Sequence, residues 1–370
     1  MGNALSSRDS ILINLIKIYQ IITTKKKDDS LQIRKLNMLR GLAASIVLIT
    51  HFSDKTAWLG GSLGGRAGQY GVMLFFMLSG FLMSYLYLDK EFNKSNIKQY
   101  VLARVGRVVP LYLIIVLVSF ILNYIGYEGL YEISEVKKLI SHLIFIYGES
   151  VLWTIAPEMH FYFIFLGFWY LAANRAGYIY VLIFSILILL FLTNFPRPHG
   201  SIQGLPFDFH LFRSIPYFLV GVIFGMHYKS FRVPEYLKKN WFVFALLLIP
   251  LMYPQFSPVT SASKNRMWLN YEVLLVMSSV FFCILFLVPE KNIVLSNKVG
   301  DFLGKISYSL YLLHMPILVL LNKLDVQIEL KLFIFVVLSL LTAYLSYKYI
   351  EKPSAKLVRS FASKRNSLRE

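Results

Sequence analysis

Long apolar runs constrain this chain more than any other feature of its sequence. Runs of about 18 or more apolar residues with few charges are long enough to cross a bilayer as helices. Ten apolar segments can be traced, over 37–55, 69–88, 108–126, 156–173, 177–193, 211–228, 240–254, 268–288, 304–322 and 331–350. Since a helix satisfies its own backbone hydrogen bonds, we predict an all-α, polytopic integral membrane protein with about ten transmembrane helices.

The positive charge lies mainly between these apolar runs. The formal net charge is +18, but its distribution is typical of membrane orientation and not of nucleic-acid binding. With a cytoplasmic N-terminus, 28 Lys and Arg residues fall in cytoplasmic segments and 10 in outer segments. The positive-inside rule therefore predicts that both termini are cytoplasmic. The single cysteine, Cys283, excludes an intrachain disulfide and a Cys-rich metal site.

One membrane domain accounts for most of the chain. We assign residues 36–351 to it, residues 1–35 to a cytoplasmic N-terminal extension and residues 352–370 to a basic cytoplasmic tail. Within the extension, the segment 11–22 is interrupted by Lys17 and lacks a cleavage site. That pattern favours an amphipathic surface helix over a signal peptide.

Two ionisable residues share one face of the first predicted span. Arg40 and His51 are eleven residues apart, which on a helix is three turns plus about 20° and about 16 Å. Between them, small residues (Ala43, Ala44 and Val47) leave room for a ligand along that face. Intramembrane charges usually face a cavity or a polar partner, although Arg40 also fits a residue that snorkels to the interface. His51 offers a neutral imidazole near pH 7.

Two further segments contribute charged residues near the ends of spans. Arg104 and Arg107 close the predicted loop 89–107 and are three residues apart, so on a helix they would share a face. Two guanidinium groups suit a phosphate-rich ligand, or else an orientation signal or lipid headgroup contact. Trp153 and Glu158 lie at the predicted outer end of the fourth span. Glu158 fits a general base or a group that orients an imidazole, and equally an interfacial carboxylate.

A polar stripe marks the ninth span. Ser307, Tyr311 and His314 follow at spacings of four and three, so they share a helical face and favour cavity lining over a helix–helix contact.

Ser79 precedes Gly80 and is interpreted as a packing residue. No His, Asp and Glu spacing indicates a catalytic metal, and neither a phosphate-binding glycine loop nor a nucleophile elbow is found.

Taken in order, these segments resemble acyltransferase family 3, the bacterial membrane O-acyltransferases. Five motifs carry the resemblance: R-G-x-A-A with ten residues between Arg40 and His51, F-F-x-L-S-G ending at Gly80, R-x-x-R-x-x-P-x-Y from Arg104, W-T-x-x-x-E-x-x-F-Y from Trp153, and S-Y-S-L-Y-L-x-H from Ser307 to His314. They cover about residues 36–350. Around Glu158 the chain departs from the family's S-V-E-E-Q-F-Y pattern, since the second glutamate is missing.

The resemblance implies transfer of an acyl group, most often acetyl, from cytoplasmic acyl-CoA to a sugar hydroxyl. The expected acceptor is a cell-envelope glycan or lipid-linked saccharide, such as lipopolysaccharide O-antigen or another exopolysaccharide. The expected location is the bacterial cytoplasmic (inner) membrane, with membrane lipids as surroundings and no nucleic-acid partner. Acetyl-CoA would be a substrate, with no permanently bound cofactor and no metal. The chain resembles a stand-alone member without a hydrolase-like domain.

The resemblance also implies roles for individual residues. His51 would act as the general base, or as an acyl carrier, and Glu158 would orient His51 or the sugar. Arg40, Arg104 and Arg107 would bind acyl-CoA. The acceptor or cavity lining would come from Trp153, Ser307, Tyr311 and His314.

A function from another class fits some of the same residues. In a transporter or flippase for a lipid-linked glycan, the intramembrane Arg and His would contact the transported substrate. The sequence lacks the inverted repeat expected of many transporters. A purely structural membrane partner is disfavoured by the polar stripes.

Overall fold

Helices make up most of the part of the chain that the structure describes. The computed structural model describes residues 34–127, 130–253, 255–257 and 267–363. The predicted amphipathic segment 11–22 lies outside these ranges. The first half of the described chain forms six helices, α1 (Arg34–Thr56), α2 (Ala67–Tyr87), α3 (Lys94–Tyr124), α4 (Val136–Leu143), α5 (Ile155–Asn174) and α6 (Ala176–Thr193).

The second half begins with a short hairpin and returns to helices. Strands β1 (His199–Ile202) and β2 (Leu205–Asp208) pair antiparallel, with His199 opposite Asp208. A 3₁₀ segment, Asn240–Leu247, precedes a short helix that begins at Leu248. The remaining helices are α7 (Leu211–His227), α8 (Leu248–Leu251), α9 (Tyr271–Phe282), α10 (Lys298–Asn322), α11 (Ile328–Ser346) and α12 (Lys352–Ser363).

Six helices of the described chain are long and apolar enough to cross a membrane. They run over Arg34–Thr56, Ala67–Tyr87, Lys94–Tyr124, Ser150–Asn174, Lys298–Asn322 and Ile328–Phe361. The other four predicted spans fall on shorter apolar helices, Gly177–Thr193, Leu211–His227, Asn240–Leu251 and Tyr271–Leu287. The all-α, multi-pass architecture is thus supported, while the count of ten spans and the cytoplasmic termini stay predictions.

Helix α3 begins earlier than the apolar run suggests. The Asn93 side chain accepts a hydrogen bond from the Asn96 backbone N–H (2.9 Å) and caps a helix that starts at Lys94, as an N-cap asparagine does. The predicted loop 89–107 is therefore mostly helical. Because hydrophobicity alone defined the predicted span, its polar first turns were missed. Arg104 and Arg107 consequently lie inside α3, about one turn apart.

The beginning of the predicted basic tail is a packed helix. Helix α12 lies against α3, where Gly106 is so close to Val358 that an added Cβ would meet its side chain at 2.8 Å. Lys98 Nζ donates to the backbone carbonyl of Phe361 (3.2 Å), and Ala355 is buried. Apolar residues spaced along one helical face explain this packing.

Glycines allow the central helices to approach closely. Gly80 of α2 lies against the Phe218 backbone of α7, and Gly221 of α7 lies against the Met77 backbone, so neither position has room for a Cβ. The predicted close packing at Gly80 is confirmed, and it follows the small-residue rule for membrane helices. Gly71 of α2 is similarly close to Ala43 and Val47 of α1. The room predicted along that face of α1 is therefore largely filled by α2.

Candidate active site

One cavity, which we call the inner cavity, is lined by Arg40, Arg104 and Arg107, the three arginines identified from the sequence. Helices α1, α2, α3, α5 and α10 all contribute to its wall. Residues separated by up to 271 positions thus meet in one recess. Its polar lining consists of Arg40, Ser79, Arg104, Arg107, Thr154, Glu158, Ser307, Tyr308 and Tyr311.

Arg104 is enclosed by aromatic rings. Its guanidinium carbon lies 5.6 Å from the ring centre of Tyr87 and 5.9 Å from those of Tyr100 and Tyr162. The residue is only 7% exposed, although it was placed at the end of a predicted loop. Its buried Nε has no hydrogen-bond partner among the described residues. A buried unpaired donor is costly, and a bound anion would satisfy it.

Glu158 belongs to this inner cavity. Its Oε1 accepts hydrogen bonds from Ser79 Oγ (2.9 Å) and Tyr162 Oη (2.6 Å). The His51 ring bonds instead to His314, so the expectation that Glu158 orients His51 or the sugar stays a prediction. The structure corrects the reading of Ser79 as a packing residue only. No local sequence signal pairs Ser79 with Glu158, since they lie 79 positions apart.

A second, outer cavity contains His51. Its volume is about 530 Å³, and Tyr311 lines both this cavity and the inner one. The Tyr311 hydroxyl donates to the Val151 carbonyl (3.1 Å), which fixes the ring between the two recesses. The rest of the lining is Val47, Thr50, His51, Gly65, Gly68, Gln69, Val72, Ser150, Val151 and Trp153. Tyr311 thus lies where the two cavities adjoin.

His51 forms a ring-to-ring hydrogen bond with His314. His51 Nδ1 lies 2.8 Å from His314 Nε2, and the two ring planes are within 7° of parallel. His314 Nδ1 lies 3.1 Å from the Leu310 carbonyl oxygen. Because a carbonyl can only accept, that Nδ1 carries the hydrogen and Nε2 presents a lone pair. His51 Nδ1 must then donate, so in a neutral His51 ring Nε2 carries no hydrogen and can accept a proton.

The predicted stripe on α10 connects the two cavities. Ser307 lines the inner cavity, Tyr311 lines both, and His314 reaches the imidazole of the outer cavity. Two of the stripe's three members, Ser307 and Tyr311, line these recesses, whereas His314 is buried and lines neither of them. The Ser307 hydroxyl itself donates to the Gly304 carbonyl (3.0 Å) within the helix, so the stripe's polar groups are already partly satisfied.

A cluster beside Trp153 was missed by sequence reasoning. Asp208 bonds to both Arg197 and His210 at 3.0 Å, and the Trp153 ring centre lies 4.4 Å from that of His210. The guanidinium carbon of Arg213 lies 4.8 Å from the same indole. The only available signal was one carboxylate, one imidazole and one guanidinium within six residues at the start of a predicted span. Among the described residues, no three His, Cys, Asp or Glu side chains are grouped to hold a metal ion.

Burial decides the protonation of His210. Desolvation lowers the pKa of His210 to about 4, in spite of the opposing hydrogen bond and charge of Asp208. Burial raises the pKa of Asp208, but the hydrogen bond and charge of His210, followed by Arg197 and Arg213, bring it below its usual value. At neutral pH the pair is therefore a carboxylate and a neutral imidazole joined by a hydrogen bond.

Comparison with known proteins gives one family and several curated relatives. Residues 33–348 match the family model described as an acyltransferase domain. O-acetyltransferase OatA of Staphylococcus aureus (strain NCTC 8325 / PS 47) is 26% identical over 368 residues, with 87% of this chain and 57% of that protein covered. A putative O-acetyltransferase of S. aureus (strain COL) is 24% identical over 367 residues, with the same coverage. The chain thus spans little more than half the length of these relatives. No solved structure matches.

Proposed function

The chain belongs to the acyltransferase family whose model covers residues 33–348, and from that premise we propose that it is a membrane O-acyltransferase. It would move an acyl group, in the simplest case acetyl, from cytoplasmic acyl-CoA to a sugar hydroxyl of a cell-envelope glycan. The observation that carries this proposal is the stripe on α10, which links a cavity of three arginines to a cavity with a free imidazole nitrogen. The curated relatives are described as O-acetyltransferases, which supports acetyl as the group transferred.

The inner cavity suits the phosphates of acyl-CoA. Arg40, Arg104 and Arg107 converge there, and guanidinium groups bind phosphate oxygens in bidentate geometry. The unpartnered Nε of Arg104 supplies a donor that a phosphate would accept from. Each charged contact would contribute about 1.5–3 kcal/mol. The pantetheine arm would then extend toward Tyr311, at the boundary with the outer cavity.

Glu158 has a different role in this scheme from the one its sequence position suggested. Its carboxylate accepts from Ser79 and Tyr162 and lines the same recess as the arginines. It would hold the hydroxyls of the cavity wall in place and offset part of the arginine charge before the donor binds. We therefore propose that it positions the donor site and does not take the proton.

The outer cavity suits the acid–base step. The free His51 Nε2 would take the proton of the acceptor hydroxyl while that oxygen attacks the thioester carbonyl carbon. The tetrahedral intermediate then expels the CoA thiolate, and the imidazolium of His51 returns the proton to the sulfur. His314 Nε2, which accepts from His51 Nδ1, would keep that proton in place and stabilise the imidazolium. A general base of this kind contributes about 10²- to 10⁴-fold in rate.

Acceptor recognition would come from the remaining walls of the outer cavity. Gln69 lines it, and its carbonyl oxygen accepts from the Trp268 indole N–H (2.7 Å). The NH₂ group of that amide is therefore the part that a sugar oxygen would accept from. Trp153 contributes an indole to the same wall, and such amphipathic rings are common in binding sites.

Two assays on the same protein test the proposal. Purified full-length chain in lipid vesicles receives acetyl-CoA labelled in the acetyl group, together with envelope polysaccharide, and ester formation is measured by mass spectrometry and NMR. In parallel, envelope polysaccharide is compared with and without expression of the chain. We expect a new base-labile ester in both. Movement of a lipid-linked glycan across the vesicle membrane without ester formation would contradict the proposal and favour a flippase.

A further inference from the structure

A third recess lies apart from the two cavities of the candidate active site. Its volume is about 970 Å³, and it opens between the start of α10 and the junction of α11 with α12. No residue that lines it lines either of the other two cavities. We call it the lysine groove. Its lining is Lys298, Asp301, Phe302, Lys305, Ile306, Tyr344, Tyr347, Lys348 and Lys352.

The positive charge of the lysine groove is not neutralised by its neighbours. Asp301 pairs with Arg34 (3.1 Å) and accepts from the Asn37 amide (3.3 Å). Within the described ranges, none of the groove's four lysines forms an ion pair with a carboxylate. Four like charges around one recess repel one another, so the groove favours an anionic occupant.

A π-helical turn adjoins the groove, and its one carboxylate is buried away from the lysines. In a regular helix Lys348 and Glu351, three residues apart, would be neighbours and could pair. Here Tyr347–Glu351 forms a π-helix, and Glu351 is buried (8% exposed) with a hydrogen bond from Ser309 Oγ (2.9 Å). Lys348 and Lys352 line the groove instead. Such π turns are frequent at functional sites.

An exposed apolar surface adjoins the groove. Helix α11 is part of the long apolar helix Ile328–Phe361, and Leu341, Tyr344 and Leu345 on it are each at least 40% exposed. Phe302 on α10 is equally exposed. A small soluble anion would make no use of these residues. A ligand with a charged head and hydrocarbon chains would contact both the lysines and this surface.

We propose that the lysine groove binds an anionic phospholipid, with the phosphate among the four lysines and the acyl chains along the exposed apolar face of α11. The proposal is independent of the enzyme activity, because the groove and the candidate active site share no residue. In this proposal the π-helical turn directs Lys348 and Lys352 toward the lipid and Glu351 toward the protein interior.

The test measures phospholipid binding to the purified full-length chain. Native mass spectrometry gives dissociation constants for phosphatidylglycerol, for phosphatidylcholine with the same chains, and for glycerophosphoglycerol, which has the headgroup alone. The variant is Lys348→Gln with Lys352→Gln. Its control, Lys229→Gln with Lys238→Gln, removes the same charge from lysines already paired with Asp89 and Glu235. We expect phosphatidylglycerol binding to weaken on the order of tenfold in the variant and to change little in the control.

Several results would overturn the proposal. Unchanged phosphatidylglycerol binding in the variant, or an equal loss in the control, would mean that no specific site exists. Equal binding of glycerophosphoglycerol would identify a soluble phosphate ligand. If that glutamine variant does not fold, Lys298→Gln with Lys305→Gln, which removes the groove's other two lysines, takes its place. Loss of the preference for phosphatidylglycerol over phosphatidylcholine in this variant supports the proposal, and an unchanged preference refutes it.

Discussion

The inner and outer cavities share Tyr311 but differ in how their polar groups are partnered. In the inner cavity three arginines surround one carboxylate, and that carboxylate already accepts two hydroxyl hydrogen bonds. In the outer cavity a neutral imidazole is held by a second imidazole. The inner cavity therefore has charge to hold an anion, and the outer cavity has a nitrogen free to accept a proton.

The difference suggests that binding and chemistry are carried by separate regions. An imidazole placed among three arginines would be surrounded by like charge once protonated, which would oppose its action as a base. Separation by the Tyr311 ring avoids that conflict. Substitutions in the inner cavity should therefore alter donor affinity, and substitutions in the outer cavity should alter turnover.

The largest expected effect separates the two cavities directly. His51→Ala should reduce acyl transfer by about 10²- to 10⁴-fold, because the proton acceptor is lost, while acyl-CoA affinity stays unchanged. Transfer and binding are measured on equal amounts of purified protein. His199→Ala, on the exposed strand β1, is the matched control. Loss of acyl-CoA binding in the folded His51 variant would mean that the cavities do not act separately.

The next effect concerns the donor site. Arg104→Lys should weaken acyl-CoA binding more than Arg107→Lys does, because Arg104 is buried among three aromatic rings and an ammonium cannot reproduce a stacked guanidinium. The loss should be about 1.5–3 kcal/mol in binding free energy, measured by calorimetry. Arg232→Lys, at an exposed position, serves as the control. An equal loss of binding free energy in the two variants would mean that the burial of Arg104 does not strengthen acyl-CoA binding.

A smaller effect tests the proposed role of Glu158. Glu158→Gln retains an oxygen that can accept from Ser79 or Tyr162 and removes one negative charge near the arginines. Acyl-CoA should then bind a few-fold more tightly, and the pH profile of turnover should not move. A shifted pH profile with unchanged acyl-CoA affinity would instead return Glu158 to the acid–base step.

The smallest effect concerns the His210 cluster outside both cavities. The folded-state pKa of His210 is about 4, below its unfolded value of about 6.5. The unfolded state therefore binds more protons between these values, so stability is complete above about pH 6.5 and declines as pH falls toward 4. The unfolding temperature should drop from pH 7 to pH 5, and less so in His210→Gln. An equal drop in that variant would assign the pH response to other groups.

Local periodicity allowed much of this arrangement to be predicted. The apolar runs locate the helices, because a helix satisfies its own backbone hydrogen bonds within a lipid-exposed span. The spacing of Arg104 with Arg107, and of Ser307 with Tyr311, places each pair on one face, because 3.6 residues complete a turn. The first turns of α3 were missed, since they are polar and a run of apolar residues was the only criterion used to locate helices.

Which faces meet was decided by the tertiary structure alone. His51 and His314 lie 263 positions apart, and no local sequence pattern in either helix indicates that the two residues are in contact. Their contact depends on the close approach of α1 and α10, where Gly41 lies against Leu303 and Gly304 lies against Asn37 with no room for a Cβ. The same packing brings Glu158 to the arginines and places Tyr311 between the cavities. The sequence by itself thus determined the helices and the polar faces they present, and packing between distant segments decided their partners.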